Sequence, residues 1–143
     1  MTRRCPEKSI RRLLVWLVPI LAIIPLRDMC GQDSEAVVRA KQILQATGVQ
    51  GGLVVHIACG DGQLTSALRA SDSYLVQGLD PDPSIVRQAR KRIRAGGHYG
   101  VVSVDRLLGT RLPYVDNLVN LVVSEDLGTV PMSEVMRVLA PEG

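Results

Sequence analysis

Three short features of this 143-residue chain carry groups that can do chemistry. The first is the small-residue turn Ala58-Cys59-Gly60-Asp61-Gly62, directly after an apolar run. The second is Asp80, twenty residues beyond Gly60, and the third is Asp105. Glycines let backbone N–H groups approach a ligand closely and let the N-terminus of a following helix face it. A carboxylate placed like Asp80 can accept both hydroxyl hydrogens of a ribose. Asp105 can accept a hydrogen bond from the amino group of a base. Together they suit a ligand built from a ribose and an adenine. The pattern Gly60-x-Gly62-x-x-Thr65 lacks the third glycine of the dinucleotide fingerprint, which sets NAD behind other nucleosides. No Gly-Lys-Ser/Thr follows the turn, which excludes a P-loop.

These residues need elements to position them. Leu53 to Ile57 reads as a strand feeding the turn, and Gln63 to Ala70 as the helix leaving it. Before them, Asp33 or Ser34 can cap a helix that runs to about Thr47 and stops at Gly48. Val37, Val38, Ala40, Ile43, Leu44 and Ala46 form its apolar side, with Arg39 and Lys41 outside. Tyr74 to Leu79 is a second strand, ending in Asp80. Asp82 as N-cap and Pro83 at the first helical position open a helix to about Ala95. Its outer face carries Arg87, Arg90, Lys91, Arg92 and Arg94, read as a solvated face. Gly100 to Val104 is a third strand ending at Asp105, and Leu118 to Val123 a fourth, ending at Ser124-Glu125-Asp126. Ser133 can cap a last helix, Glu134 to Leu139. Strands separated by helices predict a parallel sheet with right-handed crossovers. Ligands of such sheets sit beyond the carboxyl ends of the strands, where all three features should meet.

Composition narrows the rest. A hydrophobic fraction of 46% with no Phe predicts an aliphatic core. Residues 1–32 carry six Lys/Arg against two Asp/Glu, and the other 111 residues carry eleven against twelve. The basicity belongs to the N-terminal stretch, so charge argues against a nucleic-acid partner for the rest. With three cysteines, two histidines and no CxxC pair, a zinc site is disfavoured. Leu13 to Leu26 is an uncharged apolar run of fourteen residues behind Arg3, Arg4, Lys8, Arg11 and Arg12. A membrane span needs roughly 20 apolar residues, whereas about 7–15 suffice for the core of a signal peptide. Residues 1–32 are therefore expected to be an export signal or an N-terminal membrane anchor. The first would place the protein in the periplasm or outside the cell. The second would hold it at the inner membrane through contact by residues 13–26.

The ordered motifs of residues 35–143 resemble the N-terminal part of class I S-adenosylmethionine-dependent methyltransferases. LVVHIACGDG, residues 53–62, is similar to the family's first motif, a strand followed by a G-C-G-x-G turn. Tyr74–Asp80 is similar to the second strand with its ribose-binding acid. Asp105, Leu112-Pro113-Tyr114, Asp116-Asn117 and Leu118–Val123 resemble the block "D…LP(F/Y)…D" that leads into a hydrophobic strand. Glu134 to Gly143 resembles "E…RVL.PGG". The resemblance implies an α/β, Rossmann-like parallel sheet with flanking helices, truncated after the fourth strand, over residues 33–143. It also implies S-adenosyl-L-methionine as cofactor and an unknown methyl acceptor. Carried onto this sequence, the cofactor contacts are His56, Ala58, Cys59, Gly60, Asp61, Gly62, Asp80, Pro81, Asp105, Arg106 and Ser124.

Three positions depart from the family pattern. His56 stands where an acid helps hold the methionine end of the cofactor. Ala58 replaces the first glycine, and Asn120 a frequent Asp. Two functions follow. One is a methyltransferase, in which a substrate nucleophile attacks the sulfonium methyl in line and the protein mainly positions the reactants. The other is an exported or anchored non-catalytic module with a degenerate cofactor site. An export signal would also carry the domain away from the compartment where the cofactor is made.

Overall fold

A computed structural model describes the backbone of residues 28–141 and the side chains of residues 35–141. The expected leader, including the apolar run 13–26, lies almost wholly outside the described residues. No helix among the described residues is long and apolar enough to cross a membrane. The elements run α1 (Asp28–Thr47), β1 (Gly52–Ile57), α2 (Gln63–Ala67), β2 (Tyr74–Asp80), α3 (Pro83–Ala95), β3 (Val102–Arg106), β4 (Leu121–Ser124) and α4 (Met132–Val138). All strand pairings are parallel and the sheet order is β3-β2-β1-β4. The expected Rossmann-like architecture is therefore present.

The order matters for the site. The chain lays down β1, β2 and β3 in one direction and then returns to place β4 on the other side of β1. That reversal opens a crevice outside the carboxyl ends of β1 and β4, the usual ligand position in such sheets. Apolar residues cover both faces. Val54, Val76, Val102 and Val104 pack against α1, α2 and α3 through Ala40, Leu44, Leu68, Val86, Ala89 and Ile93. Val55, Ile57 and Leu79 pack on the opposite face with Leu112, Val119, Val130 and α4 residues Val135 and Val138. The alternation is that of strands buried on both sides.

Several sequence boundaries move, each for a local reason. α1 begins at Asp28, so neither Asp33 nor Ser34 caps it, and the proposed division at residue 32 falls inside a helix. Only Ala40, Leu44 and Ile43 of its expected apolar side face the core; Val37 and Val38 are exposed. α2 is five residues long rather than eight. β3 starts two residues late, because Gly100 at φ 111° leaves the extended conformation. α4 begins at Met132 behind Pro131, which places Ser133 inside it rather than at its cap. α3 has the predicted start: Asp82 accepts the Ser84 N–H at 2.7 Å, with Pro83 in the first turn.

Both outer strands carry devices at their edges. The Arg90 Nε donates to the Val104 carbonyl of β3 at 2.7 Å. Beside the lead-in to β4, Ala140 donates to Val119 at 2.8 Å in a parallel bridge between Val119 and Leu139. Such cover blunts an edge that would otherwise pair with another chain. Asn120, at a departure from the family pattern, has a structural task. Its side-chain oxygen accepts the Leu53 N–H at 2.9 Å, and its own N–H donates to the Leu53 carbonyl.

Candidate active site at the first glycine turn

β1 ends at Ile57, and the next residue turns the chain out of the sheet. Ala58 adopts φ 56°, the left-handed region that glycine occupies without penalty. Gly60 and Gly62 follow at φ 53° and 82°. The two glycines do different things. A side chain on Gly60 would meet nothing within 4 Å, so its exposed side is open to a ligand. A Cβ on Gly62 would lie 3.1 Å from the Ala89 Cβ, so this glycine lets the turn seat against α3.

The turn's backbone donors are engaged within the protein. The Cys59 N–H donates to the Leu79 carbonyl, the Gly60 N–H to Asp80, and the Gly62 N–H to the Cys59 carbonyl. The Gln63 N–H donates to the Asp61 carboxylate at 3.1 Å. The N–H groups of Cys59, Gly60, Gly62 and Gln63 are thus engaged in internal bonds rather than aimed at a ligand. What the turn offers is room above Gly60 and the carboxylates beside it. Asp61 serves the start of α2 and pairs with Arg92 at 3.5 Å.

Asp80 is buried, at 5% exposure, at the end of β2 next to this turn. One oxygen accepts from Gly60 at 3.4 Å and the other from the Asp82 N–H at 2.9 Å. A carboxylate has about four acceptor positions, so two bonds leave capacity for a ligand's hydroxyl pair. Asp105 is placed differently from the expectation. It is an internal β3 residue in register with Leu79, and Arg106 is in register with Asp80. Alternation along the strand therefore turns Asp105 to the face opposite Asp80. Its two oxygens are taken by Arg90 at 2.5 Å and Gln77 at 3.0 Å. Of the three expected features, the turn and Asp80 meet and Asp105 does not. Arg106 donates to the Pro81 carbonyl at 3.2 Å, tying the β2 and β3 ends together. Ser124 bonds the carbonyls of Ile57 and Asp126, joining β1 to the β4 exit.

His56 is buried and joined to Thr65 of α2 by a 2.8 Å hydrogen bond. Burial pushes its pKa down to about 4, against smaller opposing effects of Glu125 and Asp80, so the ring is neutral at pH 7. Cys59 is buried against Gly78, where a Cβ would sit 3.0 Å from its sulfur. Burial, helped by Asp80, raises its pKa to about 12, which leaves an unreactive thiol. Sequence reasoning missed Gly78, whose lack of a side chain makes space for Cys59. It also set Arg39 on the outer side of the first helix and Glu125 at the end of the fourth strand, with no link between them. They form an ion pair from α1 to the segment after β4. A cavity of about 250 Å³ adjoins Arg39, lined by Glu35, Ala36, Arg39, Asp61, Gln63 and Leu64. Among the described residues no His/Cys/Asp/Glu cluster could hold a metal.

A strand, a glycine turn and a buried acid at the next strand end are thus set around one crevice. A family model described as a methyltransferase domain matches residues 54–143. The chain belongs to this methyltransferase domain family. The demethylmenaquinone methyltransferase of Lactobacillus johnsonii is 26% identical over 151 aligned positions, which cover all of this chain and 61% of that protein. An uncharacterized protein of Haemophilus influenzae is 26% identical over 98, covering 63% of this chain and 39% of its own length. The chain thus spans less than two thirds of the length of either relative. Among solved structures, a candidate S-adenosyl-L-methionine-dependent methyltransferase of Methanococcus maripaludis superposes with a TM-score of 0.67 at 23% identity, over 78% of this chain and 54% of that one. A SAM-dependent methyltransferase of Aquifex aeolicus gives 0.61 at 17% identity, over 76% and 68%. Both likenesses are of fold.

Proposed function

We propose that this chain binds S-adenosyl-L-methionine at the Ala58–Gly62 turn and takes part in methyl transfer to an acceptor whose identity is open. The observation that carries the reading is Asp80: a buried carboxylate that accepts the N–H of Gly60, a glycine whose Cβ side is open, with acceptor capacity remaining. It fits the paired hydroxyls of a ribose. The family, and relatives whose names include S-adenosyl-L-methionine, support the same cofactor. When bound, the cofactor supplies an electrophilic sulfonium methyl. The chain's residues orient the nucleoside, and the neighbouring cavity receives the rest of the molecule. Asp105 is left out of this site, and Pro81, Arg106 and Ser124 shape its rim.

A second reading, the non-catalytic module, is favoured by one specific observation. His56 is neutral and turned to Thr65, so position 56 supplies no negative charge. One measurement separates the two. Calorimetric titration of the full chain with S-adenosylhomocysteine should give micromolar binding that falls about tenfold or more with Asp80→Ala. A folded protein that binds neither this compound nor S-adenosylmethionine would remove the enzymatic reading. The basic residues 3–12 and the apolar run 13–26 support an N-terminal export signal or inner-membrane anchor as part of the same proposal.

A further inference from the structure

Between Pro83 and Ala95, α3 carries five cations and no acid. Two of the cations are committed inside the protein. Arg90 pairs with Asp105 and donates to the Val104 carbonyl, and Arg92 pairs with Asp61. Arg87, Lys91 and Arg94 form no ion pair among the described residues. Arg87 only favours the ionised form of the Asp82 cap from a distance. The spacing i, i+4, i+7 sets these three in one exposed row about 10 Å long. Like charges at i, i+4 weaken a helix. The helix dipole favours cations in the last turn, which accounts for Arg94 but not for Arg87 or Lys91. The row stands at one edge of the sheet, because Arg90, on the same side of the helix, reaches the edge strand β3. Apolar groups adjoin its C-terminal end. The Arg94 guanidinium lies over the Tyr99 ring, 4.5 Å from its centre. Tyr99 is 49% exposed and Val101 39%. A face that helical spacing alone marks as solvated thus gains an aromatic ring from the loop that follows.

We propose that the Arg87–Lys91–Arg94 row, with Tyr99 and Val101, is a peripheral contact for an anionic lipid bilayer. The cations meet headgroup phosphates in charge-assisted contacts. Tyr99 and Val101 settle at the boundary beneath them, where an amphipathic ring is at home. Two observations favour this occupant over another polyanion. The basic residues 3–12 and the apolar run 13–26 suit a segment directed to a membrane. Residues 33–143 carry eleven Lys/Arg against twelve Asp/Glu, a balance that does not suit nucleic acid. The contact rests on the membrane-directed reading of the N-terminal segment and adds a second one, on the folded domain.

The test is sedimentation of the full chain with vesicles of phosphatidylcholine alone and of phosphatidylcholine mixed equally with phosphatidylglycerol. The native chain should bind the mixed vesicles about tenfold or more tightly than the neutral ones. The triple variant Arg87→Gln, Lys91→Gln, Arg94→Gln keeps the N-terminal segment. It should lose about tenfold or more on mixed vesicles and stay within about twofold of the native chain on neutral ones. Arg87→Lys with Arg94→Lys should bind as the native chain does, because the charge is kept. On the native chain, acetylation of Lys91, followed by mass spectrometry, should be several-fold slower on mixed than on neutral vesicles. A triple variant that binds mixed vesicles like the native chain, or a Lys91 acetylated equally fast on both, would overturn this contact and leave the N-terminal one standing. Failure of the native chain to bind either vesicle would overturn both. A triple variant that loses binding to a single-stranded oligonucleotide but keeps its vesicle binding would assign the row to nucleic acid and overturn the lipid contact.

Discussion

His56 and Thr65 meet across the first turn, the imidazole Nδ1 lying 2.8 Å from the threonine hydroxyl, and both are buried. The bond ties the core strand β1 to the helix that leaves the turn. It also gives His56 a measurable signature. Its pKa is lowered from 6.5 to about 4, chiefly by burial. The unfolded chain therefore binds more protons than the folded one between these values. This contribution to stability is complete above pH 6.5 and is lost as pH falls from 6.5 to 4. By pH 5 the expected loss is about 2 kcal/mol. Urea titrations at pH 7.5 and 5 on the native chain and on His56→Asn should show this slope only in the native protein. An equal slope in both would remove His56 as its source.

Ala58 holds a left-handed conformation with a side chain present, φ 56°. Ala58→Gly relieves strain of about 1–3 kcal/mol but adds freedom to the unfolded chain worth about 0.4–1 kcal/mol. The net expectation is a gain on the order of 1 kcal/mol, read as a higher denaturation midpoint with an unchanged slope. A lower midpoint would show that the turn does not resist its alanine.

Glu134 and Arg137 of α4 hold the loop before β4. Arg137 donates to the Leu112 and Tyr114 carbonyls and pairs with Asp116 and Glu134, while Glu134 accepts the Leu112 N–H at 2.9 Å. The Arg137 contacts, joined by Leu112, lower the Glu134 pKa from 4.5 to about 2. A depressed carboxylate stabilises the fold above its unfolded pKa and stops doing so as pH falls through the folded one. Glu134→Gln should therefore be less stable than the native chain at pH 7, with the gap narrowing between pH 4.5 and 2. Denaturation at pH 7 and pH 3 checks this; a gap of constant size would contradict it.

Asp80 and Asp105 are both strand-end aspartates by sequence, and the structure separates their roles. Asp80→Asn should weaken S-adenosylhomocysteine by about tenfold. Asp105→Asn should leave that affinity unchanged, because its partners are Arg90 and Gln77. Loss of binding in the Asp105 variant would return it to the site.

Local pattern made much of this molecule legible. The apolar runs around Val54, Val76 and Val104 mark strands, because a parallel strand covered on both faces must be apolar on both. Asp82-Pro83 marks the start of α3, because capping is decided within one turn of chain. The order of the glycine turn and Asp80 pointed to a candidate site at the carboxyl ends of the strands, because a parallel sheet gathers those ends together. The family resemblance followed from the same ordered residues.

Other features depend on facts that spacing does not carry. The continuation of β3 to Arg106 placed Asp105 inside the strand, and strand alternation turned it away from Asp80. The turn's N–H groups found internal acceptors because Leu79 and Asp80 come alongside through strand pairing. The 86-residue separation of Arg39 and Glu125 hides their pairing from any local pattern. By itself the sequence determined which segments form strands and helices and which turn opens the site, since these follow from neighbours along the chain. The tertiary structure alone decided which side chains face that site, since strand register and the return of β4 to the side of β1 join residues far apart in sequence.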